Sequence, residues 1–244
     1  MISFAYRFNL YKSAIETVKD EMKAINALFG DDLNLLTESR KEIDEILDGG
    51  VKNITCLSAY KKAFCDKSIV FFGDSLTSDK LGYRGVIEKG EIFKKTVDRS
   101  VSGSSSSDCF KAIVREIADK RYDYAVIFIG TNDSMIFNGV PLADGEIFYR
   151  YLRKSAEFLT EKGIEVKLFN VPFSEYNESF ESTSEINKAI KRVSDEFGLD
   201  VFDVNGFFKG KKCHEQDGIH LTPTAQFALC EKFLEWLYIK NEKN

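Results

Sequence analysis

The sequence predicts an α/β protein with a mainly parallel sheet, preceded by a helical N-terminal extension. Three observations predict this fold. Short apolar runs alternate with amphipathic stretches from about residue 67 onward, several of those stretches begin at residues that cap helices, and residues 1–66 show only helical periodicity. Because strands that alternate with helices are joined by crossovers, they lie parallel, and helices cover both faces of their sheet.

Residues 1–66 are predicted to form three helices, since apolar residues recur there at helical spacing. Thr37 is suited to cap the second helix, and Gly49-Gly50 to end it. The extension either packs on the main domain or binds a partner, a second copy of the chain included. The apolar faces of the three predicted helices contain Tyr11, Ile15, Val18, Met22, Ile25 and Leu28; Ile43, Ile46 and Leu47; and Leu57, Tyr60 and Phe64.

Residues 67–244 are predicted to form the main domain, with five strands and four longer helices. Ser182 and Glu185 have the spacing of a capping box, and Thr222-Pro223 offers an N-cap followed by a proline in the first turn. All strand-to-helix loops of a parallel sheet lie at one edge, where ligands of open α/β sheets bind. The predicted strands are 68–72, 96–100, 125–129, 166–170 and 200–203, and the predicted helices are about 105–120, 145–162, 183–197 and 223–241.

Composition excludes several classes of function. The chain carries a net charge of −5 and has no block of lysine and arginine, so no nucleic-acid partner is expected. Its five cysteines are scattered and form no CxxC pair, which argues against a disulfide framework and a cysteine-based metal site. Charged residues interrupt every long apolar run, so neither a signal peptide nor a membrane span is expected. A cytoplasmic location is the expectation.

Two motifs supply the parts of a nucleophilic site. Gly73-Asp74-Ser75-Leu76 follows the first predicted strand, which exposes Ser75 at the sheet edge beside a helix N-terminus that favours negative charge. The alternative is that Ser75 is only a helix cap. His220 has Asp217 three residues before it, and a turn of that length can bring the carboxylate to imidazole Nδ1 and leave Nε2 free to accept a serine proton. The other histidine, His214, is predicted to be an exposed loop residue.

Two further motifs follow the second and third strands. Gly103 lies in a serine-rich stretch, where a glycine lets its backbone N–H approach an oxyanion closely. Asn132 lies in Gly130-Thr131-Asn132-Asp133, and its side-chain amide can donate to the same oxyanion. The alternatives are a flexible turn at Gly103 and an Asx turn at Asn132.

Taken in order, the four motifs resemble the blocks of the SGNH hydrolase superfamily, the GDSL lipases and esterases, which is named for a Ser, a Gly, an Asn and a His. The matching segments are FFGDSLTS, VSGSSSSD, IGTND and DGIHLTP, within residues 67–244. The resemblance implies a three-layer α/β/α sandwich of flavodoxin-like character. Asp74 and Asp133 also fall in these blocks, and we interpret both as structural or capping residues.

The resemblance implies a role for each block. Ser75 matches the nucleophile, His220 the general base and Asp217 the residue that orients it. The backbone N–H groups of Ser75 and Gly103 and the side chain of Asn132 match the oxyanion hole. No metal or other cofactor is implied, because no P-loop or GxGxxG fingerprint is present and N–H donors supply the charge stabilisation.

The expected reaction is hydrolysis of a carboxylic ester through an acyl-serine intermediate. A short acyl group is expected, such as acetyl on a carbohydrate, because no separate lid or lipid-anchoring helix is evident. The apolar segment 134–143 either lines an acyl groove or is a packed loop. The alternatives are an acyltransferase, a lipase or thioesterase with the same site, and a non-enzymatic scaffold that binds through the N-terminal helices.

Overall fold

The structure, a computed structural model, describes residues 32–175 and 180–242. The chain divides into two units, Met1–Gly49 and Gly50–Asn244. The helix predicted between Tyr11 and Leu28 lies outside the described residues. The predicted boundary of the main domain after residue 66 stays a prediction, and the third predicted N-terminal helix belongs to the larger unit.

Ten helices and seven strands are present among the described residues. In chain order they are α1 (Asp32–Lys52), α2 (Leu57–Phe64), β1 (Ser68–Gly73), α3 (Ser75–Ser78), α4 (Tyr83–Lys89), β2 (Lys95–Asp98), α5 (Ser106–Ile117), β3 (Tyr124–Phe128), α6 (Thr131–Ser134), β4 (Ile136–Phe137), β5 (Val140–Pro141), α7 (Gly145–Glu161), β6 (Glu165–Phe169), α8 (Phe180–Phe197), β7 (Asp200–Phe202), α9 (Val204–Phe208) and α10 (Pro223–Asn241).

The main sheet has the strand order β2-β1-β3-β6-β7, and every neighbouring pair is parallel. This is the flavodoxin-like order, so the predicted fold class is confirmed. The direction of strand addition reverses between β1 and β3, because β2 lies on one side of β1 and all later strands lie on the other. Ligands of such sheets bind outside the carboxyl ends of the strands at this reversal.

Side chains of alternating strand positions build a core on each face of the sheet. On one face Val70, Ala125 and Ile127 pack in a single cluster with residues of α5, α7 and α8. On the other face aromatic rings dominate, and the Tyr83 ring of α4 contacts Phe71 and Phe128. Each contacting ring pair of this kind adds about 0.5–1.5 kcal/mol to the burial of apolar area. The two cores fix the strands whose ends carry the site.

Three of the predicted helix boundaries are wrong. Thr37 does not cap a helix, because α1 begins at Asp32, and Gly49-Gly50 does not end it, because α1 continues to Lys52. A glycine in a helix interior costs only about 1 kcal/mol, which neighbouring residues can offset. Ser182 is not an N-cap either, since α8 begins at Phe180 and Ser182 is buried within it.

The remaining differences concern short elements. The segment between β1 and β2 contains α4, which the sequence pattern did not define. Part of the apolar segment 134–143 forms the two-stranded antiparallel pair of β4 and β5. Such elements have two to seven residues, too few for a periodic pattern to show. Within residues 32–175 and 180–242, no helix combines the length and apolar character needed to cross a bilayer.

Candidate active site

The first block places Ser75 at the carboxyl end of β1. A Cβ atom on Gly73 would lie 2.5 Å from the Phe128 carbonyl oxygen of β3 and 2.6 Å from Thr77 Oγ1, so only glycine fits this close approach. Asp74 then caps α3, because its carboxylate accepts a hydrogen bond from the Leu76 N–H at 3.0 Å. Ser75 is the first residue of α3 and is half-buried.

The fourth block forms a turn held by backbone pairing. An isolated antiparallel bridge joins His214 to Leu221, the Glu215 N–H donates to the His220 carbonyl at 2.7 Å, and the Thr222 N–H donates to the Cys213 carbonyl at 2.9 Å. Thr222 caps α10 by accepting from the Ala225 N–H at 3.2 Å, as the sequence predicted. The ends of the turn that contains Asp217 and His220 are therefore fixed.

A chain of hydrogen bonds connects the first block to the fourth. His220 Nε2 lies 2.8 Å from Ser75 Oγ, and His220 Nδ1 lies 2.5 Å from Asp217 Oδ2. The other carboxylate oxygen of Asp217 accepts from the N–H groups of Ile219 and His220, each at 2.9 Å. This network favours the tautomer with a proton on Nδ1, which leaves Nε2 able to accept the Ser75 proton.

Hydrogen bonds stabilise the ionised form of Asp217. Partial burial raises its pKa, but the hydrogen bonds from the His220 ring and from the Ile219 and His220 N–H groups outweigh burial, so that the pKa falls to about 2. Asp217 is therefore an anion at neutral pH. The side chains of Asp217 and His220 are 47% and 46% exposed, so this side of the site is open to solvent.

Asp74 has the opposite electrostatic environment. Burial raises its pKa to about 7, against the lowering effect of the Leu76 N–H. The Thr131 hydroxyl also lowers this pKa, yet among the described residues neither Asp74 Oδ2 nor Thr131 Oγ1 has a partner with full hydrogen-bond geometry. Asp74 thus caps the turn that carries Ser75, as we interpreted it, and is largely protonated in weak acid.

The second and third blocks are bonded to each other. Asn132 Nδ2 donates to the carbonyl of Ser104, the residue after Gly103, at 3.0 Å. Asp133 is buried and accepts from Ser106 at the start of α5, at 2.9 Å from the backbone N–H and 2.6 Å from the hydroxyl. Gly103 has a φ of +80°, in the left-handed region that favours glycine. Neither Gly103 nor Asn132 donates to Ser75 among the described residues.

In the structure the His220 ring therefore contacts both Ser75 and Asp217. The loops that carry Gly103 and Asn132 contact each other. The β1 and β2 loops also meet, since the Val101 N–H donates to the Gly73 carbonyl at 3.0 Å. All four blocks thus lie at the carboxyl edge of the sheet, around the reversal of strand order.

His214 was predicted to be exposed, and this prediction is wrong. Only 9% of its side chain is exposed, and its Nδ1 lies 3.6 Å from Cys213 Sγ and 3.8 Å from Glu175 Oε1. Burial lowers the pKa of His214, and within the described residues its Nε2 has no hydrogen-bond partner. The charged and polar neighbours in sequence predicted an exposed loop, whereas His214 pairs with Leu221 through the backbone and its ring is buried.

Sequence reasoning also missed the buried polar residues that support the site, among them Thr131 and Gln226. Thr131 lies beside Asn132, and Gln226 lies on the apolar side of α10, next to Ala225 and three residues before Leu229. A glutamine among buried apolar positions was the available signal, because buried amides require hydrogen-bond partners.

Comparisons with known proteins identify the family of the chain. A model of the GDSL-like lipase/acylhydrolase family matches residues 71–226, more than half of the chain. The chain therefore belongs to the GDSL-like lipase/acylhydrolase family and is an ester hydrolase of that family. No curated protein sequence gives a significant match.

Three solved structures illustrate the shared fold. The acetyl xylan esterase AlAXEase has 18% identity and a TM-score of 0.60, with 70% of this chain and 99% of that chain covered. A lipase/acylhydrolase from Enterococcus faecalis has 20% identity and a TM-score of 0.58, with coverage of 71% and 96%. Esterase EstA from Pseudoalteromonas sp. has 16% identity and a TM-score of 0.58, with coverage of 73% and 100%.

Proposed function

We propose that this ester hydrolase is a serine esterase or deacylase that removes a short acyl group, above all acetyl, from a carbohydrate or similarly small hydroxylated substrate. The observation that carries the proposal is the hydrogen-bond chain from Ser75 Oγ through the His220 ring to Asp217, with links of 2.8 and 2.5 Å. A serine hydroxyl is a weak nucleophile unless a base in hydrogen-bond contact removes its proton as it attacks.

In the first half of the proposed reaction, Ser75 Oγ attacks the ester carbonyl carbon while its proton moves to His220 Nε2. The carbonyl π pair becomes an oxyanion. Collapse of this tetrahedral intermediate breaks the bond to the alcohol oxygen, which takes the proton from His220. The products are the free alcohol and an acyl ester on Ser75. Asp217 remains ionised and stabilises the imidazolium that forms in between.

In the second half, a water molecule gives one proton to His220 Nε2 and attacks the acyl carbon. The new tetrahedral intermediate collapses, the bond to Ser75 Oγ breaks, and His220 returns the proton to that oxygen. The carboxylic acid leaves and the enzyme is regenerated. If a second alcohol takes the place of water, the same steps give acyl transfer.

The oxyanion is proposed to bind the N–H groups of Ser75 and Gly103 and the side chain of Asn132. A primary amide has two N–H donors. One N–H of Asn132 is used on the Ser104 carbonyl, which holds the amide plane in place, and the second remains for the substrate. A donor fixed in advance is worth about 3–4 kcal/mol of barrier because it needs no reorganisation during the reaction.

The open position of the catalytic groups supports a polar, bulky alcohol part. Nearly half of the Asp217 and His220 side chains is exposed, which leaves room for a sugar ring on that side. A long acyl chain would need a continuous buried groove, because its binding depends on removing about 25 cal/mol per Å² of apolar surface from water. The similarity to the acetyl xylan esterase AlAXEase, at the level of the fold, supports the same choice.

The test is a series of p-nitrophenyl esters of increasing acyl length, measured with wild type, Ser75→Ala and Ser78→Ala. Ser78 is the matched control, because it is a second half-buried serine of α3. We expect acetate to be the fastest substrate, Ser75→Ala to lower kcat by roughly 10⁴-fold or more, and Ser78→Ala to stay within about tenfold of wild type.

Equal rates for Ser75→Ala and wild type would refute the serine mechanism. A tenfold preference for octanoate over acetate would instead identify a lipase-like specificity. Adding a sugar alcohol as acceptor and analysing the products distinguishes hydrolysis from acyl transfer.

A further inference from the structure

The short helix that carries Ser75 has no hydrogen-bond donors of its own for its carbonyl groups. The last four carbonyls of any helix lack partners within it, and α3 has only the four residues Ser75–Ser78. Donors from two other helices serve two of them. Gln226 Nε2 donates to the Leu76 carbonyl at 3.2 Å, and Arg84 Nε donates to the Thr77 carbonyl at 3.3 Å. The conformation of the nucleophile turn therefore depends on tertiary contacts.

Gln226 makes a second bond with the same amide group. Its Oε1 accepts from the N–H of Tyr83, the first residue of α4, at 3.1 Å. The side chain is buried, with 2% of the residue exposed, and both its polar atoms are bonded. A Cβ atom on Gly82 would lie 3.2 Å from the Gln226 amide carbon, so glycine there leaves room for the contact. Each polar atom of this buried amide thus has a hydrogen-bond partner, as buried amides require.

The same residue is tied to the loop that carries the base. Gln226 lies in the first turn of α10, where its N–H donates to the Thr222 carbonyl at 2.9 Å. Thr222 is the N-cap of α10, and His220 lies only two residues before it. The backbone of Gln226 is therefore bonded to Thr222, two residues after His220, while its side chain is bonded to Leu76, the residue after Ser75.

We propose that Gln226 is a positioning residue that sets the distance between Ser75 and His220 by tying α3 to the start of α10. This inference rests on the proposed serine mechanism. The two reacting atoms come from positions 75 and 220 and lie 2.8 Å apart. A misplacement of reacting groups by about 1 Å can cost on the order of 100-fold in rate, so this tie has a kinetic consequence besides its effect on stability.

Asn187 provides a matched control for the loss of an amide tie. Its Oδ1 accepts from the Val171 N–H at 2.8 Å, and its Nδ2 donates to the Val171 carbonyl at 2.9 Å. Like Gln226, the Asn187 side chain uses both its acceptor and a donor to bond a helix to another segment, here α8 to the residues after β6. Its partner does not lie in the turn that carries Ser75. Asn187→Leu and Gln226→Met each remove two hydrogen bonds at similar side-chain volume.

The experiment compares full-length wild type, Gln226→Met and Asn187→Leu at a temperature where thermal unfolding curves show all three to be folded. The readouts are kcat and KM for p-nitrophenyl acetate and the second-order rate of Ser75 labelling by a fluorophosphonate probe. For Gln226→Met we expect kcat and the labelling rate to fall together by about 30- to 100-fold, with KM within about threefold. For Asn187→Leu we expect kcat within about threefold of wild type.

Gln226→Asn is measured in the same way, so that the test stands even if the methionine variant does not fold. Asparagine keeps the amide group but is one methylene shorter, so it cannot reach both the Tyr83 N–H and the Leu76 carbonyl, and kcat is again expected to fall. A wild-type kcat in either folded Gln226 variant, or an equal loss in Asn187→Leu, overturns the positioning role. If wild type itself neither hydrolyses the ester nor reacts with the probe, the proposed function has failed instead.

Discussion

Two groups of polar residues in the sequence blocks have opposite environments. The buried cluster consists of Asp74, Thr131 and Asp133, all at most 7% exposed, and burial raises the pKa of both aspartates. The exposed arm consists of Asp217 and His220, which are nearly half exposed, and the pKa of Asp217 falls to about 2. Asp74 therefore takes up a proton in weak acid, whereas Asp217 stays ionised there.

This difference teaches that residue type does not decide the role of a carboxyl group near Ser75. Asp74 is adjacent to Ser75 in sequence, but its carboxylate faces the backbone of its own turn and acts as a helix cap. Asp217 is far away in sequence, but three hydrogen bonds keep it charged beside the imidazole. Burial and hydrogen-bond partners set the protonation state, and the protonation state sets what each carboxyl group can do.

The largest expected effect comes from removing the charge in the exposed arm. Asp217→Asn is expected to lower kcat for p-nitrophenyl acetate by about 10³- to 10⁴-fold, because an amide does not hold the His220 tautomer or stabilise the imidazolium. Asp74→Asn in the buried cluster is the comparison. Since asparagine caps helices as well as aspartate does, we expect its kcat to stay within about tenfold of wild type. A larger loss in Asp74→Asn would reverse the division of roles.

A smaller loss is expected at Asn132, which lies between Thr131 and Asp133 in sequence but is only half-buried. Asn132→Ala should lower kcat by roughly two to three orders of magnitude with KM little changed, because one oxyanion donor is lost. Asn170→Ala is the matched control, since its Nδ2 donates to Asp203 Oδ1 at 2.7 Å after the neighbouring strand β6. Similar losses in both variants, or a loss explained by unfolding, would remove Asn132 from the oxyanion hole.

The last expected effect is on stability instead of rate, and it concerns the buried cluster alone. The Asp74 pKa is about 7 in the folded chain against an ordinary value of 3.8. Between these values the unfolded chain is ionised while the folded chain still holds the proton, so this group makes the free energy of unfolding fall as pH rises. Asp74→Asn removes that dependence, by up to about 4 kcal/mol at full ionisation.

Urea unfolding of wild type and Asp74→Asn from pH 4 to pH 8 measures this difference. The lowered pKa values of other carboxyl groups act equally on both proteins and cancel in the comparison. A difference that is constant with pH would show that Asp74 does not titrate as its burial requires.

The sheet and its edge could be predicted because their signals are local. The predicted strands overlap β1, β2, β3, β6 and β7, and the four long predicted helices match α5, α7, α8 and α10 to within a few residues. Parallel strands bring the residues that follow them to one edge, so Ser75, Gly103 and Asn132 could be assigned to a common site. Thr222 was correctly assigned as a cap because its proline follows directly in sequence.

The errors lie where the spacing or the immediate neighbours of a residue suggest one environment and the folded chain gives it another. His214 was taken for a surface residue because its neighbours in sequence are charged, but pairing with Leu221 buries it. Ser182 has capping-box spacing, yet the helix begins two residues earlier. Gln226 received no role, since its partners Leu76 and Tyr83 are about 150 residues away.

The sequence by itself determined the fold class and the family, because the apolar periodicity, the helix caps and the four blocks are each recognised within a short segment of the chain. It also supplied the candidate site residues, whose catalytic roles stay a proposal. Only the tertiary structure decided the 2.8 Å contact between Ser75 and His220, the opposite pKa values of Asp74 and Asp217, and the tie through Gln226. The physical reason is that burial and hydrogen bonding depend on atoms brought together from distant positions, and no local pattern encodes them.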